Sequence, residues 1–405
     1  MTMTLPQRPW QRLPGAIAIL RALDADAGLT RVVGGAVRDA LLDLPVADVD
    51  LATSLKPQQV MDRLIAAGIK AVPTGIDHGT VTAVAPDMVM EVTTLRRDVS
   101  TDGRRASIAY TDDWKEDAAR RDFTINALSA DPASGRIFDY FGGLADLEQR
   151  RVRFIGTALE RIAEDHLRIL RFFRFHARFG GGEPDAEAVA ACTARANDLM
   201  ALSRERIRDE LLKLLGAADP LDAVALMMAC GIFRPVVPEI TDDALPMLRS
   251  LIAAEKQADV APLGLRRLAA LLPPQPVLAD AVARRLKLSN ADRQRLTMAA
   301  ARGDGSTDDP HVLAYRLGRD EAVDRLLLAN APAPAVRLLD DWQRPRLPMT
   351  GGDIVARGVQ RGPAVSALLR AVEEDWIAAG FPDDRSRVEG MLRARLASMD
   401  QREAR

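Results

Sequence analysis

Hydrophobic and polar positions alternate with a period of two in four short runs of the first third of the chain. They are "RVVGG" (31–35), "DVDLA" (48–52), "GTVTAV" (79–84) and "MVMEVTTL" (88–95). This β-branched alternation predicts strands, with two or three helices between them. From about Ala158 onward the apolar spacing changes to that of helices, in "ERIAEDHLRILRFFRFHARF" (160–179), "RERIRDELLKLL" (204–215) and "DAVALMMACGIF" (222–233). Strand signals nearly vanish there. The pattern predicts an α+β chain, with a mixed head over 1–155 and an all-helical remainder. Glycine- and proline-rich breaks fall at 179–185, 271–276, 302–310 and 344–353. They divide that remainder into blocks over 156–218, 219–305 and 306–405.

Composition narrows the class. The chain has 405 residues, which favours more than one domain, and a formal net charge of −2. A nucleic-acid partner would therefore need a local basic patch, since no global field supplies one. Nearly all the positive charge is arginine, which suits phosphate clamps better than lysine does. The two cysteines, Cys192 and Cys230, lie far apart and outside any metal or disulfide motif, as expected for a reducing compartment. No run approaches the ~20 apolar residues of a membrane span, and the N-terminal "GAIAIL" is too short for a secretory core. A cytoplasmic protein is expected. His78, His166, His176 and His311 show no ligand spacing, and no lysine follows a glycine, so a phosphate-binding loop of the GxxxxGK[ST] kind is absent.

The first chemistry lies in "VVGGAVRDALLDLPVADVDLAT" (32–53). Asp48 and Asp50 are two residues apart, so on a strand they point to one face. Two adjacent carboxylates repel unless a cation sits between them, and hard oxygen ligands suit Mg²⁺, which accepts substrate phosphates as further ligands. This is the protein half of a two-metal phosphoryl-transfer site. Alone, such a pair is more often a solvated turn. Its context is a glycine pair, Gly34 and Gly35, between a strand and a helix, where bare backbone lets a phosphate approach. Arg38 follows in the first helical turn. Glu91, in the strand-like run 88–95, is a third candidate carboxylate, as metal ligand, as base, or as a plain surface residue.

Five ordered segments then become informative together: "GGAVRDALLDLPVADVDLAT", "TGIDHGTVTAV", "RRDFTINALSAD", "FDYFGGLADLEQRRVRFIG" and "EDHLRILRFFRF". Together they resemble the tRNA nucleotidyltransferase and poly(A) polymerase family, the class II group of the polymerase-β superfamily. The resemblance is dense over about 30–215, and "MTGGDIVARGVQRGPAVSALL" resembles that family's tail. It implies a polymerase-β-like head, then a helical neck, a body and a tRNA-binding tail for the three blocks. It implies that Asp48 and Asp50 bind the catalytic metals and that Gly35 and Arg38 contact the triphosphate. It further implies that Arg121, Asp122 and Asn126 hold the nucleotide's sugar and phosphates, that Arg171 and Arg174 belong to the nucleotide site, and that 96–119 is a flexible loop. No obligate protein partner is implied.

The run "EDHLRILRFFRFHAR" can also be read physically. On one helix, Asp165 and Arg168 are three apart and share a face. A carboxylate only accepts hydrogen bonds and a guanidinium only donates them. Cytosine and adenine both show an amino donor beside a ring-nitrogen acceptor, whereas guanine and uracil show the reverse. One Asp with one Arg therefore accepts C and A and leaves polar groups unpaired against G and U. Arg168, Arg171, Arg174 and Arg178 form one stripe with no acid between them. It reads as a phosphate-facing surface, Arg178 towards RNA, with internal salt bridges as the alternative. Arg204, Arg206 and Arg208 read as structural or weakly RNA-facing. The expected reaction is addition of CCA to tRNA 3′ ends from CTP and ATP. Its rivals are a poly(A) polymerase or an enzyme adding only CC or only A, and a catalytically silent RNA-binding scaffold. "TGIDHGTVTAV", where polymerases of the group carry a "GRRF"-like stretch, favours the tRNA enzyme, and the intact carboxylates oppose the scaffold.

Overall fold

The computed structural model describes residues 4–102, 105–302 and 309–403. The chain divides into two compact units. One comprises Met1–Ile252 with Pro262–Thr297, the other Ala253–Ala261 with Met298–Arg405.

The first unit begins with a mixed sheet. Its strands are β1 (Thr30–Val33), β2 (Val49–Thr53), β3 (Lys70–Gly75), β4 (Thr80–Ala85), β5 (Met88–Thr94), β8 (Ser129–Ala130) and β9 (Ile137–Phe138), in the order β3-β4-β5-β2-β1-β8-β9. Only β2 and β5 pair in parallel; the other neighbours are antiparallel. The alternation seen in the sequence becomes two rows across the sheet. Val81, Val92, Leu51, Val32 and Ala130 lie side by side and are fully buried. Helices α1 (Pro14–Ala22) and α3 (Pro57–Ala66) pack on this sheet. The adjoining row, on the opposite face, reads Thr82, Glu91, Asp50, Val33, Ser129 and Phe138. A one-residue offset thus separates core from chemistry.

Between β1 and β2 runs α2 (Gly35–Leu41). The segment 96–119, expected as a flexible loop, is instead a hairpin of β6 (Arg96–Asp102) and β7 (Arg105–Tyr110) followed by α4 (Trp114–Ala119). Residues 103–104 lie outside the described residues. Backbone this long meets its hydrogen bonds by pairing with itself. Trp114 packs on Val33, Ala52 and Leu95.

After α5 (Gly143–Glu148) come α6 (Ala158–Glu164), α7 (Arg168–Phe179), α8 (Ala186–Ala194) and α9 (Arg204–Leu215). The apolar back of α7 seats this helical part on the sheet domain through rings packed at tilted and edge-on angles. Phe123 meets Phe154 at 4.8 Å and Phe175 at 5.1 Å, and Phe172 meets Phe173 at 5.2 Å. Helices stop and restart around 179–185, 271–276 and 344–353, as the breaks predicted; of the break at 302–310, residues 303–308 lie outside the described residues.

The second unit has its own core around Tyr315, Ile354, Val372, Trp376 and Leu392. Trp376 Nε1 donates to the Pro382 carbonyl at 2.7 Å. Among the described residues no helix is long and apolar enough to cross a membrane.

Candidate active site

The site starts at the turn that leaves β1. Gly34 has φ +66°, and a Cβ there would come within 2.9 Å of Arg121 Nη1. Glycine is required twice over, by conformation and by close approach. The turn directs Arg38 inward, where it is 6% exposed. Its Nε donates to Asp39 at 2.8 Å and its Nη1 to Asn126 Oδ1 at 2.5 Å. Burial lowers the Arg38 pKa, with Asp39 opposing and Arg178 and Arg174 adding to the fall.

Asn126 in turn donates to Asp122 Oδ1 at 2.9 Å, which also accepts the Phe123 N–H at 2.9 Å. Arg171 of α7 closes the network with two bonds to Asp122 Oδ2, at 2.8 and 2.5 Å. Burial alone would raise the Asp122 pKa. The Arg171 guanidinium and the bonds from Asn126, Arg171 and Phe123 outweigh it and hold the carboxyl below its ordinary value.

Asp165 and Arg168 meet this network from the neck, by a route different from the expected one. They do not share a face of one helix. α6 ends at Glu164, Asp165 is extended (φ −153°, ψ 106°), and α7 starts at Arg168. The Asp165 side chain accepts the Leu167 N–H at 3.1 Å, a local bond by which aspartate competes with continued helix. Its other oxygen accepts Arg206 Nη2 at 2.6 Å. Arg168 donates to the carbonyls of Arg161 (2.9 Å) and Arg120 (3.3 Å) and to the Glu164 carboxylate.

Gly34, Gly35, Arg38, Arg121, Asp122, Asn126, Asp165, Arg168 and Arg171, together with Phe175, line a single cavity of about 480 Å³. Arg174 does not line it. Its Nε donates at 2.6 Å to Glu210, a carboxylate 5% exposed that also lies 3.6 Å from Arg171. The arginine stripe of α7 is therefore not uncompensated. Glu164, Asp122, Glu210 and, for Arg178 at 3.5 Å, Asp39 answer it from other parts of the chain. Glu210 is the site residue that the sequence did not single out, and Arg206, expected as structural or weakly RNA-facing, is the one that holds Asp165. Both sit on α9 among mixed charges that gave no periodic signal.

The carboxylates lie next to the cavity on the open face of the sheet. Asp50 and Glu91 are in-register neighbours on β2 and β5, and Asp48 lies just before β2. Desolvation first, then the charges of Glu91 and Asp48, raise the Asp50 pKa against the pull of Arg121. Asp50 is itself exposed, so solvent tempers that shift. Like charges on one face favour a cation between them. Among the described residues no three His, Cys, Asp or Glu side chains converge into a complete metal site. Asp50 and Glu91, with Asp48 close by in sequence, offer hard oxygen donors of the kind that suit a divalent cation. Arg121 links the two halves: it lines the cavity and its charge acts on Asp50.

Residues 30–153 match the family model described as the Poly A polymerase head domain, and 183–243 match the probable RNA and SrmB-binding site of polymerase A. The CCA tRNA nucleotidyltransferase 1, mitochondrial, of Mus musculus is 36% identical over 87% of this chain and 83% of its own. The CCA-adding enzyme of Latilactobacillus sakei is 31% identical over 94% and 96% of the two chains. The structure of the Bacillus stearothermophilus CCA-adding enzyme in complex with CTP superposes with a TM-score of 0.78. It is 27% identical and covers 98% of this chain and 100% of that one.

Proposed function

The chain belongs to the CCA-adding enzymes, the CCA tRNA nucleotidyltransferases, and from that premise we propose how its residues perform template-independent addition of CCA to tRNA 3′ ends. The substrates are CTP, ATP and tRNA, and pyrophosphate leaves. The observation that carries the assignment of roles is the single cavity. Its lining brings together the glycine turn, Arg38 and Arg121 with Asp165 and Arg168, and Asp50, the neighbour of Glu91, pairs with Val33 just before that turn.

In this reading the triphosphate lies along Gly34, Gly35, Arg38 and Arg121. Asp122, Asn126 and Arg171 form the buried frame that holds the sugar end. Arg174 acts through Glu210, which fixes the α7–α9 contact. Asp48 and Asp50 would hold Mg²⁺, which when bound supplies Lewis-acid stabilisation of the phosphoryl oxygens. Glu91, the third charge on that face, accepts the proton of the attacking RNA hydroxyl or completes the ligand set. The base meets Asp165 and Arg168. Asp165 keeps lone pairs for an amino group after serving Leu167 and Arg206, and Arg168 keeps Nε–H and one Nη2–H for a ring nitrogen. The neck, body and tail divisions at 155, 218 and 305 are assigned to base reading and tRNA grip.

The test offers tRNA lacking its 3′ end with CTP and ATP, separately and together. CTP alone should add two residues, and both nucleotides should add three and then stop. EDTA should abolish transfer without shifting the melting temperature. Long A-tails would move the chain to the polymerases, and no incorporation would leave the scaffold reading.

A further inference from the structure

The carboxylate face carries a second feature that the nucleotide reading does not use. Arg31 of β1 lies opposite Ala52, two residues along the strands from the Val33–Asp50 pair. Alternation in the strand puts it on the same face as Asp50. Its guanidinium is held between two aromatic rings, with its carbon 3.9 Å from the Trp114 centroid and 3.5 Å from that of Phe138. Nη1 donates to the Tyr140 hydroxyl at 3.2 Å. Among the described residues it has no carboxylate partner, unlike the arginines of α7. Arg31 is half-buried, so its edge reaches solvent.

A guanidinium covered on both faces has one direction left for recognition, the plane of its N–H donors. Five donors with one protein acceptor in that plane make a fork for an oxyanion. Position decides which one. Along β1, Gly34 lies three residues beyond Arg31, about 10 Å of extended strand, with Asp50 facing Val33 between them. If the triphosphate tail lies at the glycine turn, pyrophosphate departs on that side. The attacking hydroxyl must then approach in line from the other. The RNA end has to cross the part of the sheet where Arg31 stands.

We propose that Arg31, clamped by Trp114 and Phe138, binds a backbone phosphate next to the 3′ end of the RNA and aligns that end with the carboxylates. The assignment rests on the placing of the nucleotide in the neighbouring cavity. It commits to an RNA phosphodiester, not to the nucleotide's own phosphates.

The experiment measures steady-state addition of CTP to tRNA lacking its 3′ end, across a range of salt. Arg31→Gln should raise the KM for tRNA about tenfold, as loss of a charge-assisted contact does, while the KM for CTP stays put. The dependence of log(kcat/KM) for tRNA on log salt should become shallower by about 0.7, one single-strand phosphate. Arg31→Lys, which keeps the charge, should restore that slope. A second arm leaves the protein intact: 3′-terminal phosphodiesters of the tRNA are replaced one at a time by neutral methylphosphonates. One position should raise the wild-type KM by a similar factor and have no effect on Arg31→Gln. Wild-type KM and slope in Arg31→Gln, or insensitivity of the wild type to every replacement, would overturn the proposal. A rise in the KM for CTP instead would give the phosphate to the nucleotide, and overturn it too. Failure of wild-type protein to add any nucleotide would defeat the functional reading itself, a result separate from all of these.

Discussion

Asp165 is held by one backbone N–H and one guanidinium, so its carboxylate is oriented before any ligand arrives, which in the proposed reading is the base. That preorganisation is what makes a two-residue reader selective. Asp165→Asn places an amide there, able to donate as well as accept, and should raise incorporation of UTP and GTP relative to CTP by 10- to 100-fold. Competition assays with the four nucleotides check it; unaltered exclusion would remove Asp165 from the reader. Asp122 makes a different argument. Its carboxyl is depressed in the folded chain, so its stabilisation is complete above the unfolded value near 3.9 and is lost as pH falls through the folded value. Asp122→Asn should therefore cost about 3 kcal/mol at pH 7, and the gap to wild type should close only below about pH 4. Denaturant melts from pH 3 to 8 measure this. That Asp165 and Arg168 belong to one place was legible from donor and acceptor counts, and both line the cavity, but their geometry was not legible. The sequence spacing argued for one helix, and the local bond from Asp165 to Leu167 broke it.

At the scale of elements, the strands were legible because alternation sets a face, and the row Glu91–Asp50–Val33 follows from register. What no local pattern shows is which distant acid meets which arginine. Glu210 and Arg206 both come from α9, thirty or more residues beyond the groups they hold. Within 96–119, expected as a flexible loop, the strands Arg96–Asp102 and Arg105–Tyr110 gave no signal because polar strands lack the apolar alternation that marks buried ones. Arg206 ties α9 to the α6–α7 junction, and in the proposed reading the two act as one unit on the base. Arg206→Gln should raise the KM for both CTP and ATP about three- to tenfold, loosen base choice and leave the KM for tRNA at its wild-type value. Arg206→Lys should recover part of the loss. Nucleotide KM values equal to wild type would make the tie dispensable.

Over the whole molecule, a net charge of −2 hides strongly local charge. Acids gather on one sheet face, and arginines gather in the adjoining cavity, where acids of other elements balance all but a few donors. Such an arrangement favours a polyanion that brings its own metal to the acidic side and meets N–H donors on the basic side. The division into an α+β head and a helical remainder was legible in the change of hydrophobic period near residue 158, because period reports the element type directly. The split into two compact units at residues 252 and 297 was not, since it depends on contacts between segments far apart in sequence. The most direct measurement is a crystal structure with CTP and Mn²⁺ in place of Mg²⁺, read by anomalous scattering. An anomalous peak between Asp48 and Asp50, with the cytosine edge on Asp165 and Arg168, is the expected result. Nucleotide bound outside the cavity, or a metal peak away from those two aspartates, would contradict it.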